Sequence, residues 1–425
     1  MLRRIIYLSQ MLRNASRSAD SLAVRQGRVL QSLVRQAATR VPFYRELYAT
    51  QGIGPDSVLA LEDLPGLPIV TKAQLRAAGG AAVSLDAPRR RVKISTSGSS
   101  GEPFEFSIDS DYDQWRKAQY LRAYLCGGRR LRDTVLRLTA LPQPRVPWIS
   151  HLGLLRERQF SCASDPARIV DAWQALAPDV LQGYPSSLRS LANYCRERGR
   201  SLNPTPRLVF TDSELLTPDT RALVEQQFAA PVLDIFGTFE TDNIAFQCAM
   251  RTGYHIASDC AVIEIVREGK PVPPGEQGEI VVTVLANRTT PFIRYNLRDI
   301  GRLLPQPCAC GLPFPLLTGL QGRADDLIVL EGGGQRTAMD VLGRLDHSSA
   351  SVQHYQLRQL RLGVFELLMV PSSAYRPEDG KRMASAIAAT LGNAQVTVRL
   401  VEFIPPDRSG KLRAFVSQLA QDLGA

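Results

Sequence analysis

Between Ser95 and Pro103 the chain reads Ser-Thr-Ser-Gly-Ser-Ser-Gly-Glu-Pro. Thr96, Ser97, Gly98, Ser99, Ser100 and Gly101 offer hydroxyls and backbone amides on a stretch with few steric limits, as an anion nest around a polyphosphate requires. The same composition suits a flexible surface linker equally well. The G-x-x-x-x-G-K-[ST] pattern of nucleotide kinases is absent. A second constellation is Cys248 and His255 with Cys308-Ala309-Cys310. Three thiols and one imidazole are what a closed tetrahedral zinc site needs, and four protein ligands leave no open position, so such a zinc is structural. Pro307 and Gly311 around the cysteine pair imply a sharp knuckle. Cys260 is a reserve ligand, and separate buried thiols are the alternative.

The elements that must hold these groups follow from periodicity. Residues 1–50 read as helical, with Leu22, Val29, Leu30, Leu33 and Val34 near helical spacing and eight arginines against one aspartate before Val41. That face is either solvated and packed on its own core or offers weak contact to an anionic membrane surface. A helix is expected after Thr71, its cap, in a segment read as architecture. Val92-Lys93-Ile94 and Phe104 to Ile108 alternate as strands around the small-residue loop. Helical stretches (Asp165 to Leu176, Ser186 to Arg198, Pro218 to Phe228) then alternate with short apolar strands at Val180, Leu208 to Phe210 and Val232 to Ile235. Further strands are expected over Ile280 to Val284 and Pro291 to Arg294. After Asp326 the order is strand, helix, strand, strand, helix, strand: Leu327 to Leu330, Ala338 to Leu345, Val352 to Leu360, Val364 to Val370, Glu378 to Leu391 and Val396 to Phe403. The expected fold class is α/β. A large multi-layer domain, residues 1–324 with a helical part over 1–90, precedes a small mobile α+β domain, residues 325–425.

Ser95 to Pro103 resembles the phosphate loop of the acyl-adenylate-forming superfamily. Other segments resemble its further motifs in order: Phe236-Gly237-Thr238-Phe239-Glu240 its aromatic-Gly-x-Ser/Thr-Glu motif, Tyr295 to Asp299 its Tyr-x-x-x-Asp motif, Gly322 to Asp326 its hinge, and Ser409-Gly410-Lys411 its terminal Gly-Lys motif. Val41 to Leu47, Leu67 to Lys72 and Gly183 to Ser187 look like the phenylacetate-coenzyme A ligase-like branch, which includes capsular-polysaccharide relatives.

The resemblance implies ATP and Mg²⁺ as cofactors, with coenzyme A the favoured acyl acceptor. Catalysis by positioning and charge neutralisation follows. Glu240 is then the Mg²⁺ ligand, Asp299 accepts from the ribose hydroxyls, and Arg323 donates to ribose or phosphate. A salt bridge between Asp299 and Arg323 is the alternative. Glu214 falls beside the nucleotide, after Ser213 where relatives carry glycine. Phe236 offers a face to the base, and Phe104 stands where many relatives have a basic residue. Lys411, one of only six lysines among 51 basic residues, reaches the transferring phosphate once the small domain closes about Asp325.

With 425 residues, 44% apolar and 22% charged, the chain has the composition of a globular protein with two or three domains. The odd number of cysteines, seven, makes a poor disulfide framework and implies reduced thiols. No apolar run of about 18 residues and no signal-peptide pattern is present, so a cytoplasmic location is expected. The net charge of +10 is spread along the chain without a zinc-finger, ribonucleoprotein or basic-zipper pattern, which argues against nucleic acid. Expected partners are a small carboxylic acid, aromatic or medium-sized, and an acyl acceptor. Amide or ester formation on an amine or sugar is the alternative chemistry. A non-catalytic adenylate-binding or membrane-associated assembly factor is the alternative of another class.

Overall fold

A computed structural model describes residues 2–58, 60–96, 104–140, 142, 148–324, 327–343, 345, 351–407 and 411–419. Packing divides the chain into two compact units, each of two stretches: Met1–Gly127 with Ile235–Leu320, and Gly128–Asp234 with Gln321–Ala425. The expected division at residue 325 follows the chain, whereas these units follow contact.

The first unit opens with helices α1 (Leu2–Asn14), α2 (Ala19–Arg40), α3 (Pro42–Ala49) and α4 (Lys72–Ala78). Ser18 caps α2 by accepting from the Ser21 amide, and Leu22, Leu30, Leu33, Val34 and Ala37 bury one stripe. Pro42 starts α3 at a position where a missing N–H costs nothing. Thr71 caps α4, with Gln74 answering in a capping box. Strands β1 (Val92–Thr96) and β2 (Phe104–Ile108) pair antiparallel with Thr96 opposite Phe104, so the strand, loop and strand read from sequence form a hairpin. Helix α5 (Ser110–Cys126) is capped by the Asp109 carboxylate.

The second unit begins with β3 (Val135–Thr139), β4 (Glu157–Ser161), α6 (Pro166–Leu176), β5 (Val180–Gly183), α7 (Pro185–Glu197), β6 (Leu208–Asp212) and α8 (Pro218–Phe228). These strands run parallel in the order β6-β5-β3-β4. Their burial on both faces needs the unbroken apolar runs the sequence supplies, such as Val180-Leu181 and Leu208-Val209-Phe210.

Within β7 (Val232–Thr238) the chain returns to the first unit. There follow β8 (Asp242–Gln247), β9 (Tyr254–Ile256), β10 (Ala261–Arg267), β11 (Lys270–Pro271), β12 (Gly278–Val284), β13 (Tyr295–Leu304) and β14 (Leu316–Thr318). They pair antiparallel in the order β11-β10-β12-β13-β14-β9-β8-β7, and their apolar face closes one core with α2 and α3. Pro291 to Arg294, expected as a strand, is a connection instead. Arg294 has φ 45°, and its buried guanidinium meets both oxygens of Glu264 at 3.0 Å and donates to the Pro65 carbonyl at 2.8 Å and the Leu67 carbonyl. With a left-handed φ the backbone at Arg294 leaves the extended conformation a ladder requires.

The second unit ends with β15 (Ile328–Val329), β16 (Gln335–Arg336), α9 (Ala338–Leu342), β17 (Val352–Arg361), β18 (Val364–Pro371), α10 (Pro377–Thr390), β19 (Gln395–Leu400) and β20 (Phe415–Ser417). The six elements read from sequence appear in their expected order, with β16 and β20 added to them. Strands β19-β18-β17-β20 form a four-stranded sheet over its own core, with Leu357, Leu367, Met369 and Ile387 buried. No helix among the described residues is long and apolar enough to cross a membrane.

Candidate active site

In the first unit Glu240 sits in the turn between β7 and β8. Gly237 makes that turn: a Cβ there would lie 2.0 Å from the Asp242 carbonyl oxygen, so only glycine allows the two backbones this close. Asp242 follows at φ 55°. Glu240 is 6% exposed, and its Oε1 accepts from the Tyr295 hydroxyl at 3.2 Å and lies 3.2 Å from Lys72 Nζ. It is a buried, paired carboxylate rather than a solvated one. Lys72 is held there by backbone. Val70 donates to the Arg294 carbonyl and accepts from the Asn296 amide, both at 2.9 Å, which bridges Val70 to Tyr295 in parallel and starts α4 two residues on. The Lys72 ammonium also stands 5.6 Å from the centre of the Phe104 ring.

Sequence reasoning assigned Lys72 to architecture and missed it. The signal available was the apolar Phe104 where relatives carry a base. The cation beside the Phe104 ring, Lys72, belongs to a segment distant in sequence. Thr96 is buried, and its hydroxyl has no hydrogen-bond partner among the described residues. Phe236 is half-buried on β7 opposite Ala245, next to a bulge at Gly237, and Asp299 is half-buried on β13.

In the second unit Ser213 has φ 72°, the left-handed region that glycine occupies without strain. Its hydroxyl donates to Asp212 Oδ1 at 2.8 Å, a local bond that eases that conformation. The turn aims Glu214 at the start of α7, where it accepts from the Ser186 amide and hydroxyl at 2.9 Å each, the arrangement a helix N-terminus favours for a carboxylate. Glu214 Oε1 also accepts from the Leu412 amide at 2.9 Å. Burial raises the Glu214 pKa, opposed by the Ser186 and Leu412 bonds and by Lys411. Burial likewise lowers the Lys411 pKa, against the pull of Glu214, Asp212 and Asp407 and with the push of Arg323. Glu214, Lys411 and Arg323 therefore share one electrostatic neighbourhood. Ser97, Gly98, Ser99, Ser100 and Gly101, the hinge Asp325, and Ser409 and Gly410 lie outside the described residues.

The cysteine constellation comes together in the first unit. Ligand atoms of Cys248, His255, Cys308 and Cys310 all lie within 4.8 Å of one another. Cys248 Sγ to Cys308 Sγ is 3.7 Å and Cys310 Sγ to His255 Nε2 is 3.3 Å. A tetrahedron with Zn–S of about 2.3 Å has S···S edges of about 3.8 Å, so the donor set fits zinc in both kind and spacing. β9 supplies His255, which burial keeps neutral, the form that binds metal. Cys260, the reserve ligand, is instead 3.5 Å from an Arg122 nitrogen and 3.4 Å from Asp259.

No family model matches the chain. Among curated proteins it is 27% identical to the phenylacetate-coenzyme A ligase of Pseudomonas putida over 329 residues, 74% of this chain and 73% of that one. It is 27% identical to that of Escherichia coli K12 over 382 residues, 83% and 82% of the two chains. Protein CapK of Staphylococcus aureus is 22% identical over 267 residues, 60% of this chain and 58% of CapK. Among solved structures, 2-hydroxyisobutyryl-CoA ligase in the postadenylation state with an acyl-AMP overlays with a TM-score of 0.77 at 22% identity, covering 95% of this chain and 91% of that one. The same enzyme with 2-HIB-AMP and CoA in the thioesterification state gives 0.63.

Proposed function

For a chain homologous to the phenylacetate-coenzyme A ligases and built on the fold of the adenylate-forming ligases, we propose an AMP-forming acid:coenzyme A ligase. A carboxylate oxygen attacks the α-phosphorus of ATP, the bond to the bridging oxygen breaks, and acyl-AMP and pyrophosphate result. The thiol of coenzyme A then attacks the acyl carbon, AMP leaves, and one proton is released. The observation that carries this reading is Lys411 held beside Glu214 and Arg323 in one unit, in a chain whose relatives activate acids.

Charge accumulates on the α-phosphate and on departing pyrophosphate, and fixed cations stabilise it without reorganising. Lys411 meets the α-phosphate and Arg323 the ribose or phosphate. Lys72 supplies polyphosphate with the charge that Phe104 lacks. Asp299 accepts from the ribose hydroxyls, Phe236 faces the base, and Thr96 with the loop to Gly101 donates to phosphate oxygens. Magnesium carried by the nucleotide neutralises phosphate charge, and Glu240, a buried carboxylate already facing a cation, is the residue that would hold it. Cys248, His255, Cys308 and Cys310 hold a structural zinc. The favoured acid is aromatic or medium-sized.

Exchange of labelled pyrophosphate into ATP, scanned over carboxylic acids, tests the activity. Exchange with at least one acid, followed by coenzyme A consumption, is expected. Neither exchange nor ATP binding with any acid would sink the reading, and consumption of an amine or sugar in place of coenzyme A would reassign the acceptor.

A further inference from the structure

Glu214 holds the Leu412 amide beside the chemistry, and further residues that fix this segment lie away from it. Lys411 and Leu412 lead into β20, which pairs parallel with β17, Leu357 opposite Phe415. Gln356 Nε2 donates to the Arg413 carbonyl and the Leu357 amide to the Ala414 carbonyl, both at 2.9 Å. β17 thus anchors the segment two residues beyond Lys411.

The start of β17 is in turn fastened to one face of α7. Arg189 Nε donates to the Gln353 carbonyl at 2.9 Å and Nη2 to the Val352 carbonyl at 3.3 Å. Its Nη1 meets Asp219 Oδ2 at 2.5 Å and Thr220 Oγ1 at 3.1 Å. Tyr355 of β17 donates its hydroxyl to the same Asp219, 3.3 Å from Oδ2, while the Arg189 guanidinium lies 5.3 Å from its ring centre. Beside it, Ser190 Oγ is 2.6 Å from His354 Nε2, and one turn along Asn193 Nδ2 donates to the Gln353 carbonyl at 3.2 Å. Gln353 Nε2 donates to Glu197 at 3.2 Å. The N-terminal turn of this same helix holds Glu214 through Ser186. Residues 186, 189, 190, 193 and 197 form one helical stripe.

We propose that this stripe of α7 is a clasp that positions Lys411, and that Arg189, Ser190 and Asn193 are positioning residues for adenylation alone. Arg189 is buried at 5% exposure and Asp219 at 3%, so the pair is screened little by solvent and its two carbonyl bonds fix the β17 start in direction as well as distance. Acyl transfer does not use Lys411 in the reading on which this proposal rests. Loosening the clasp therefore lowers one half-reaction and spares the other. A residue that merely holds the fold together would lower both.

Replacing Arg189 leaves Asp219 buried and unpaired and endangers folding. Ser190→Ala with Asn193→Ala keeps every buried charge paired and carries the test. The expected result is a fall of about tenfold in ATP–pyrophosphate exchange, two neutral hydrogen bonds' worth, with transfer from supplied acyl-AMP to coenzyme A within about twofold of the parent and exchange largely kept in Ser190→Thr, which retains the hydroxyl. Equal losses in both half-reactions, unchanged exchange, or a loss confined to transfer would each overturn the clasp. A parent protein without exchange for any acid would instead overturn the ligase reading.

Discussion

The Leu412 amide donates to Glu214 Oε1 at 2.9 Å, so the backbone next to Lys411 is tied to a carboxylate that the start of α7 already holds through Ser186. An ammonium on a four-carbon stem is ordinarily a poorly aimed charge. Fixing the next residue's amide confines where it can point. Lys411→Ala is accordingly expected to cut pyrophosphate exchange by about 10²- to 10³-fold, the loss typical of a single preorganised donor. Transfer from supplied acyl-AMP should be nearly unchanged; comparable losses in the two assays would contradict the assigned role.

Lys72 is expected to act on nucleotide rather than acid. Lys72→Met should raise the KM for ATP by about tenfold or more, the order expected for a lost charge-assisted contact, with little change in the KM for the acid. Lys72→Arg should recover part of the loss. A change confined to the acid would remove Lys72 from the phosphate side of the site.

Purified protein is expected to carry one zinc per chain. Cys308→Ser should abolish it, and chelator should lower the unfolding temperature by several degrees, because a metal bound only by the folded state adds its binding free energy to stability. Metal-free protein of unchanged stability would leave the four residues as adjacent thiols and an imidazole.

His354 is half-buried against Ser190, and desolvation together with the Arg189 charge holds its pKa down at about 4. The unfolded chain, with an ordinary value near 6.5, takes up the proton first. Stability contributed by neutral His354 is thus present above about pH 6.5, falls as the pH drops towards about 4, and levels off below. Asp242, raised to about 6 by burial despite Arg116, contributes in the opposite sense over part of that window. Denaturant titrations of the parent and His354→Gln should therefore be compared by difference. The parent should lose more stability than the variant between those limits, and parallel curves would refute the assignment.

Gly237→Ala should disable the site through the backbone. With the Asp242 carbonyl 2.0 Å from the new Cβ, the turn carrying Glu240 must open, and exchange should fall steeply while ATP-independent properties such as zinc content stay the same. An active Gly237→Ala protein would mean the turn can shift without cost.

Local signals made much of this legible. The strand and helix order after Asp326 was readable because each apolar period is interrupted by Gly, Pro or charge. The hairpin around the Ser/Gly loop was readable from alternation in Phe104 to Ile108. The cysteine and histidine cluster could be gathered because Cys and His are rare and chemically distinct. What escaped was pairing between distant residues of common type. Nothing in the sequence around Lys72 announces Glu240, and an arginine on a helix reads as solvated until Asp219 and two carbonyls of β17 are found around Arg189. His354 had no partner pattern for the same reason. Pro291 to Arg294 misled in the other direction, expected as a strand where the left-handed backbone at Arg294 makes a connection.

The interleaving of the two units has a further consequence during synthesis. Residues 1–127 cannot close their core until Ile235–Leu320 has emerged, whereas Gly128–Asp234 buries a core of its own that includes Leu136, Val170, Leu181 and Val209. The nascent chain must carry its first 127 residues open while the intervening segment is made. A ribosome pause between residues 235 and 320 would lengthen that exposure.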